Sequence, residues 1–507
     1  MVHLVQFEEP AASLVRLVEQ TRPENVVDAA IEQLRAGTTT GDLIAAAGLA
    51  VSCSSELPPG HHGGPVHPVS GLYATGSLAK RLQGEQALLP AVQSVALANK
   101  HIHTTYMGPS AMPVLDISTL EKQSKETLLR GLSEALSNRQ ASFAEHHLLA
   151  LLGVATPGEI MEVLLEVALP RNALDDHYFL YPIFAFRGLD EIGWDYAPVL
   201  LRPPVRYLAR HPQLDYAEKD HQFYDEGTQI YNDPLYFDRH AERYGIDLRS
   251  LALSADRDES VAISDLAESI GAIDKMADVL ELMLQALASG VSLNGLAEAL
   301  SIGGARLFLR SHTGNPFDVH IHTGINARRY LMGLDDVCVR TKAIGLLSWP
   351  SGVEVRYLDE TLQWSLPQEI GKVSGDDTEA SLLAAIEHSI NNQPELDIRE
   401  ITVGISELVL PDSARTTLAL ARRYVEKGYD PQALFRLTAA LVCRDDQSEM
   451  HAYKLQHATY EEYHRSLESH RWVHLVSAVK HVTCVVPIHP QDVHRQATRQ
   501  LESHPAN

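Results

Sequence analysis

Cysteine is scarce: four copies in 507 residues, Cys53, Cys338, Cys443 and Cys484, none in C-x-x-C spacing. This excludes a disulfide framework and a thiolate zinc knot, leaving the thiols to act as small buried hydrophobes. Long apolar runs are also missing. Stretches such as Leu148–Ala155 are among the longest, far short of the ~20 residues that span a bilayer. Positive charge is in deficit, with 42 Lys and Arg against 66 Asp and Glu and a net charge of −24. That balance cannot build the basic stripe that neutralises phosphate, so neither a nucleic-acid nor a membrane partner is expected. No G-x-G-x-x-G fingerprint marks a flavin or nicotinamide site, since GLSEALSN and SIGGARLF have the wrong spacing, and no H-E-x-x-H is present. The start, MVHLVQFEEPAASLV, has no positive end, apolar block or small-residue cleavage site, which makes the cytosol the expected compartment.

What the chain does have is helix-period hydrophobicity over most of its length and 25 histidines. Helical spacing recurs at Ala11–Gln20, Asn25–Ala36, Ala87–His103, Ile160–Leu169, Ile263–Ser289, Leu293–Leu309, Glu379–Asn391, Ser413–Lys427, Pro431–Val442, Glu449–Leu467 and Trp472–Val486. The expected fold is mainly α, a large multi-helix protein with two helical lobes. One alternating stretch, GVEVRYLDETLQWSL, is suited to a small β-hairpin. At this length a single core usually stops growing, and the Tyr-rich acidic segment between Gln213 and Tyr244 has little periodicity. The domain reading is therefore an N-terminal lobe over 1–212, a linker or lid over 213–245, and a C-terminal lobe over 246–507. Beyond Pro490 the tail is polar.

Histidines gather at helix starts. The stretch Ser311–Met332 carries His320 and His322 in the first turn of a helix beginning near Val319. Residues i and i+2 lie about 200° apart on a helix, so only one of the two can face a given centre. The Pro/Gly/His loop ELPPGHHGGPVHP delivers His61, His62 and His67 into or beside the next helix. AEHHLLALLGV carries the adjacent pair His146 and His147 into an apolar run, where a buried imidazole needs a partner. In WVHLVSAVKHVTCVV, His474, Ala478 and His481 form one stripe. Asp175, Asp176 and His177 precede an aromatic stretch whose Phe179, Phe184, Phe186 and Trp194 suit core packing or the lining of a pocket for a flat ligand. A common metal site would have to be collected from these stretches by the fold, as in helical proteins that build metal centres from facing helices. The E-x-x-H spacing at Glu218–His221 and Glu461–His464 lies in strongly polar surroundings, where solvated faces are expected.

Four of these stretches resemble segments of the questin oxidase-like family. HIHTGINARRYL at 320–331 is similar to its helix with a histidine, a T-G pair, a second histidine and an A-L-R-x-L ending. AEHHLLALLGV is similar to its HHLLALYALG segment, HGGPVHPVSGLYATG to its early N-H-G-P-M segment, and WVHLVSAVKHV to its C-terminal H-x-x-K helix. The resemblance implies an α-helical fold and oxygen chemistry on aromatic polyketides such as anthraquinones. It also implies a mononuclear non-haem iron held mainly by histidines, with a carboxylated lysine as an extra ligand. Carried over by position, the metal ligands are His62 or His67, His147 or His146, His320 and His474. Two positions depart from the pattern: the second histidine of the T-G helix is Asn326, and the lysine three residues after His474 is Ser477, with Lys480 and His481 nearby as substitutes.

Such a centre is chemically coherent. Neutral imidazoles suit Fe(II), and open positions would admit O2 beside an enolate or phenolate. In this reading Glu145 or Asp318 orients the imidazoles, and Arg328 or Arg329 holds an anionic substrate oxygen. Two other readings use the same residues: a zinc hydrolase with a bound hydroxide as nucleophile, and a non-catalytic helical scaffold whose histidines cap helices and line polar core pockets.

Overall fold

The computed structural model describes residues 3–54, 66–104, 111–172, 176–210, 233–315, 319–352, 355, 357–362, 377–400 and 408–503. It is mainly α. Several helices begin where local chemistry satisfies their free N–H groups. Thr156 and Glu159 form a reciprocal capping box at Pro157–Ala168, and the Ser124 and Ser292 hydroxyls cap Lys125–Ser137 and Leu293–Arg310. Helices on the outside bury one stripe, as Ala11–Gln20 does with Leu14, Val15 and Val18. Thr40–Ser54 and Leu89–His103, rich in alanine and valine, are buried on nearly all sides and pack against each other. One continuous cluster of contacting apolar side chains runs from Leu14 to Leu501 and draws on residues before position 211 and after position 232.

Four helices position the site. They are α1 (Val66–Arg81), α2 (His177–Ile192), α3 (His320–Met332) and α4 (His451–Arg465). α1 packs against α2 and α4, and α3 packs against the same two, so the four close a ring of contacts. Glycines set two of these approaches. A Cβ at Gly71 of α1 would lie 2.8 Å from the Met450 side chain at the start of α4. A Cβ at Gly324 of α3 would lie 2.9 Å from the Asp176 carboxylate at the start of α2. Phe179, Phe184 and Phe186 of α2 are core residues, each at most 1% exposed.

The structure departs from the sequence pattern in three places. The apolar period over 263–289 is cut into helices Ser260–Gly271 and Asp278–Ala288. There the Met276 N–H goes to Asp359 Oδ1 at 2.7 Å rather than to a helical carbonyl. The polar tail holds the helix Asp492–Ser503, which buries Ala497 and Leu501 and packs on Val26–Arg35. Much of the stretch expected to form a hairpin, residues 353, 354, 356 and 363–366, lies outside the described residues; strand pairing among the described residues is the parallel pair β1 (Leu396–Asp397) and β2 (Ile488–His489), with isolated bridges at Leu4–Pro113 and Thr313–Val409. The described part of 352–366 includes a 3-10 turn, Tyr357–Thr361, docked by the His312 N–H on Thr361 O at 3.0 Å.

Candidate metal centre

Each of the four helices carries a histidine in its first turn: His67 is the second residue of α1, and His177, His320 and His451 are the first residues of α2, α3 and α4. The four imidazoles meet. Ring centroids lie 4.8 Å apart for His67–His451, 5.5 Å for His67–His177, 5.4 Å for His177–His320 and 5.7 Å for His320–His451. All four side chains are buried. His67, His177 and His451 each offer a ligand nitrogen, and these atoms lie within 4.8 Å of one another. Nitrogens about 2.1 Å from one ion would be roughly 3–4.2 Å apart, so small side-chain rotations bring the three into reach.

The approach of the chain to these helices is unusual. Asp176, just before α2, and Glu449 and Met450, just before α4, have φ of 61°, 50° and 67°. Non-glycine residues seldom adopt this left-handed region, and at functional sites such conformations cost roughly 1–3 kcal/mol each. Two of them, Asp176 and Glu449, are held by their own side chains. Asp176 accepts from Arg328 Nη1 at 2.6 Å and Nη2 at 2.9 Å, and from Asn172 Nδ2 at 2.5 Å. Burial alone would raise its pKa, but the Arg328 charge and these hydrogen bonds hold it below the usual carboxylate value. Glu449 turns back so that Oε2 accepts from His67 Nδ1 at 2.5 Å. Against the upward push of burial, His67 brings the Glu449 pKa down to about 2.

Those second contacts fix which nitrogen faces inward. His67 donates through Nδ1 to Glu449, and His451 donates through Nδ1 to the Ser448 carbonyl at 2.7 Å. In both rings Nε2 then carries the lone pair, the arrangement in which a carboxylate or carbonyl orients a metal-binding imidazole. Burial, then Lys454 and then the surrounding imidazoles of His67, His320 and His177, push the His451 pKa well below its ordinary value. Positive helix ends add to this, since the N-termini of α1 to α4 disfavour protonated imidazole there. A ligand imidazole has to be neutral, and burial favours that form at His451. Tyr181 closes one side: its ring stacks on His177 at 4.6 Å, and its hydroxyl donates to His67 Nε2 at 3.3 Å.

Deeper between the same helices lies a charged layer. Arg187 of α2 donates to Asn326 Oδ1 of α3 at 2.5 Å and to Glu461 Oε2 of α4 at 2.8 Å, and sits over the Tyr73 ring of α1 at 4.2 Å. Asn326 Nδ2 donates to Glu461 and Glu462, 2.8 Å each. Asn326, which replaces the second histidine of the T-G pattern, thus belongs to this layer and not to the imidazole cluster.

Of the residues expected from sequence, His67 and His320 lie in the cluster. His62, with His61, lies outside the described residues, as do Asp318, Glu218 and His221. His322 faces away from His320, edge-on to Phe308 at 4.9 Å, as the i, i+2 spacing requires. His147 and His146 are elsewhere: their Nδ1 atoms donate to Phe143 O at 2.9 Å and Ser142 O at 2.7 Å, so each is satisfied within its own helix. His474 is buried, with Nε2 3.1 Å from Ser466 Oγ. Glu145 is engaged by Arg202 and Arg206. Arg328 is committed to Asp176 and to the Gly345 and Gly324 carbonyls, and Arg329 to Glu462 at 2.5 Å, so neither charge is available to a substrate at the cluster. Lys480 donates to the Phe308 and Ser311 carbonyls. Two cluster members, His177 and His451, were not among the expected ligands. A shared local signal precedes them and His320: an acidic residue one or two positions before a histidine that opens a helix, in Asp176-His177, Asp318-Val319-His320 and Glu449-Met450-His451. The H-x-x-K spacing is met at His451 and Lys454, one turn apart on α4, with Lys454 buried and its Nζ 5.4 Å from the Phe184 ring.

Compared with family models, curated proteins and solved structures, the chain matches none.

Proposed function

We propose that His67, His177, His451 and His320 hold one Fe(II) ion, and that the protein is a non-haem iron oxygenase acting on an aromatic or polyketide-like small molecule with O2. The observation that carries this reading is the meeting of the three imidazoles whose nitrogens lie within 4.8 Å of one another, with two of the rings oriented by Nδ1 hydrogen bonds. An all-imidazole donor set is neutral and suits iron, copper, nickel or zinc. When bound, the iron would supply oxygen activation and electron transfer between substrate and O2.

The chain's own residues would do the rest. Glu449 and the Ser448 carbonyl hold two imidazoles in register. Asp176 and Arg328 tie the start of α2 to α3 and so fix His177 against His320. Four converging helix N-termini favour an anionic ligand, which fits a phenolate or enolate oxygen better than a neutral group. Arg328, Arg329 and Lys480 act away from the substrate in this scheme, as partners of buried carboxylates and carbonyls. The lysine position of the questin oxidase-like resemblance is Ser477 here, and Lys480 is engaged by carbonyls; the buried lysine one turn from a cluster histidine is Lys454, after His451. Among the described residues no helix is long and apolar enough to cross a membrane, which agrees with a cytosolic enzyme meeting a dissolved substrate.

The test is metal analysis of protein purified without added metal, followed by oxygen-electrode measurements with phenolic anthraquinones. One iron per chain with substrate-dependent O2 uptake is expected. One zinc per chain, no O2 uptake and ester or amide hydrolysis would replace the oxygenase with the zinc hydrolase, and no stoichiometric metal would leave the scaffold reading.

A further inference from the structure

We infer that Tyr181 is an inner-sphere donor of the same centre in its resting state, with its phenolate oxygen bound beside His67. The inference rests on the metal-centre reading above.

Tyr181 follows His177 by one helical turn on α2, and side chains on a helix lean toward its N-terminus, so both reach the end where the imidazoles meet. The two rings are stacked, 13° from parallel. Tyr207 packs edge-on behind Tyr181, with ring centroids 4.8 Å apart, and limits its rotation. The Tyr181 hydroxyl lies 3.3 Å from His67 Nε2, the one lone pair left on that ring by the Glu449 hydrogen bond. Two donors each about 2.1 Å from a shared ion are about 3.0 Å apart in octahedral geometry and about 3.4 Å apart in tetrahedral geometry. The observed 3.3 Å falls in that interval.

An ion on His67 Nε2 takes the lone pair that the hydroxyl uses here. The hydroxyl is then left beside a cation, in a position 1% exposed to solvent. Donation of an oxygen lone pair to the ion, with the phenol proton released to solvent buffer, forms the bond. Nothing is oxidised or reduced, and the net charge of the centre falls by one. A position that accepts the Tyr181 phenolate also suits a phenolate of a substrate that displaces it.

The experiment loads the full-length protein and its Tyr181→Phe variant with iron, oxidises both to Fe(III), and records metal content, visible absorption and resonance Raman spectra. Wild type is expected to show a visible phenolate-to-iron charge-transfer band with enhanced tyrosine ring modes. Tyr181→Phe is expected to lose both while keeping one iron per chain. Wild type with one iron and no such band overturns the assignment and leaves the metal centre standing, and a band that survives in Tyr181→Phe overturns it in favour of another tyrosine. Failure of wild type to bind iron, Zn(II) or Co(II) overturns the metal centre and this assignment together. If Tyr181→Phe alone fails to bind iron, the Co(II) electronic spectra decide: a change in coordination between wild type and Tyr181→His supports the assignment, and identical spectra overturn it.

Discussion

His67 near the start of α1 and Glu449 just before α4 are 382 residues apart in the chain and 2.5 Å apart in space. The contact closes one corner of the imidazole cluster and sets the tautomer of the ring that also meets Tyr181. Glu449 is 29% exposed, so it is the polar link between a buried ring and solvent.

Replacing that carboxylate by an amide leaves His67 Nδ1 only a neutral, weaker acceptor. Glu449→Gln is expected to weaken metal binding about 10- to 100-fold, the usual effect of losing an outer carboxylate on a ligand histidine. Competition titration of Zn(II) against a chromophoric chelator measures it. Unchanged affinity would mean that Glu449 serves only the turn before α4.

Truncating the ligands separates the cluster from the histidines that merely resemble it in sequence. His67→Ala, His177→Ala and His451→Ala should each lower metal content well below one per chain, while His147→Ala should keep it, because the His147 ring is satisfied by Phe143 O in its own helix. Elemental analysis of the purified variants reads this directly. Metal loss in His147→Ala with full content in His177→Ala would reverse the assignment.

The fold was largely legible in the sequence because helices such as Ala11–Gln20, Glu379–Asn391 and Pro431–Val442 carry a 3.6-residue apolar period, the last two with side-chain caps at Thr378 and Asp430. The site was legible only in part. His320 and His67 sit in glycine-containing stretches that stand out from their surroundings. His177 stands as one histidine before an aromatic stretch, His451 is one of three histidines on a polar helix, and the contact that matters joins residues hundreds of positions apart. His147 and His474 misled because an apolar run around an imidazole implies a buried partner without saying which one. A carbonyl one turn back and the Ser466 hydroxyl turn out to be those partners. Arg328 and Arg329 are adjacent, yet each is taken by a different buried carboxylate, Asp176 and Glu462, which no local pattern encodes.

Asp176 and Arg328 form a bidentate ion pair with side chains 5% and 0% exposed. Removing one partner strands the other charge in the core, and such changes cost about 3–5 kcal/mol. Asp176→Ala should therefore lower the urea midpoint sharply. It should also lower metal affinity, because the pair holds His177 against His320. The double variant Asp176→Leu/Arg328→Met should recover much of the stability. If Asp176→Ala unfolds at the wild-type midpoint, the pair contributes nothing to the clamp.

The last expectation concerns pH. Burial, only partly countered by the neighbouring Glu462, depresses the His474 pKa to about 4. In the unfolded chain His474 takes a proton below about pH 6.5, whereas the folded protein holds it neutral until about pH 4. Between those values the unfolded state binds more protons, so folding stability falls as pH drops through the window, and the loss is complete at its lower end. At about 1.4 kcal/mol per unit the depression corresponds to about 3 kcal/mol. Asp446 works in the opposite direction. Burial raises its pKa to about 6, so its contribution is present at low pH and is lost as pH rises through 6. The whole-protein curve mixes both effects, and the diagnostic quantity is the difference between wild type and His474→Gln. That difference should change by about 3 kcal/mol between pH 6.5 and pH 4, the wild type losing stability relative to the variant as pH falls, in urea unfolding followed by far-UV circular dichroism. Parallel curves across the window would show that His474 is protonated in the folded protein, and the buried site around Ser466 would then have to accommodate a cation.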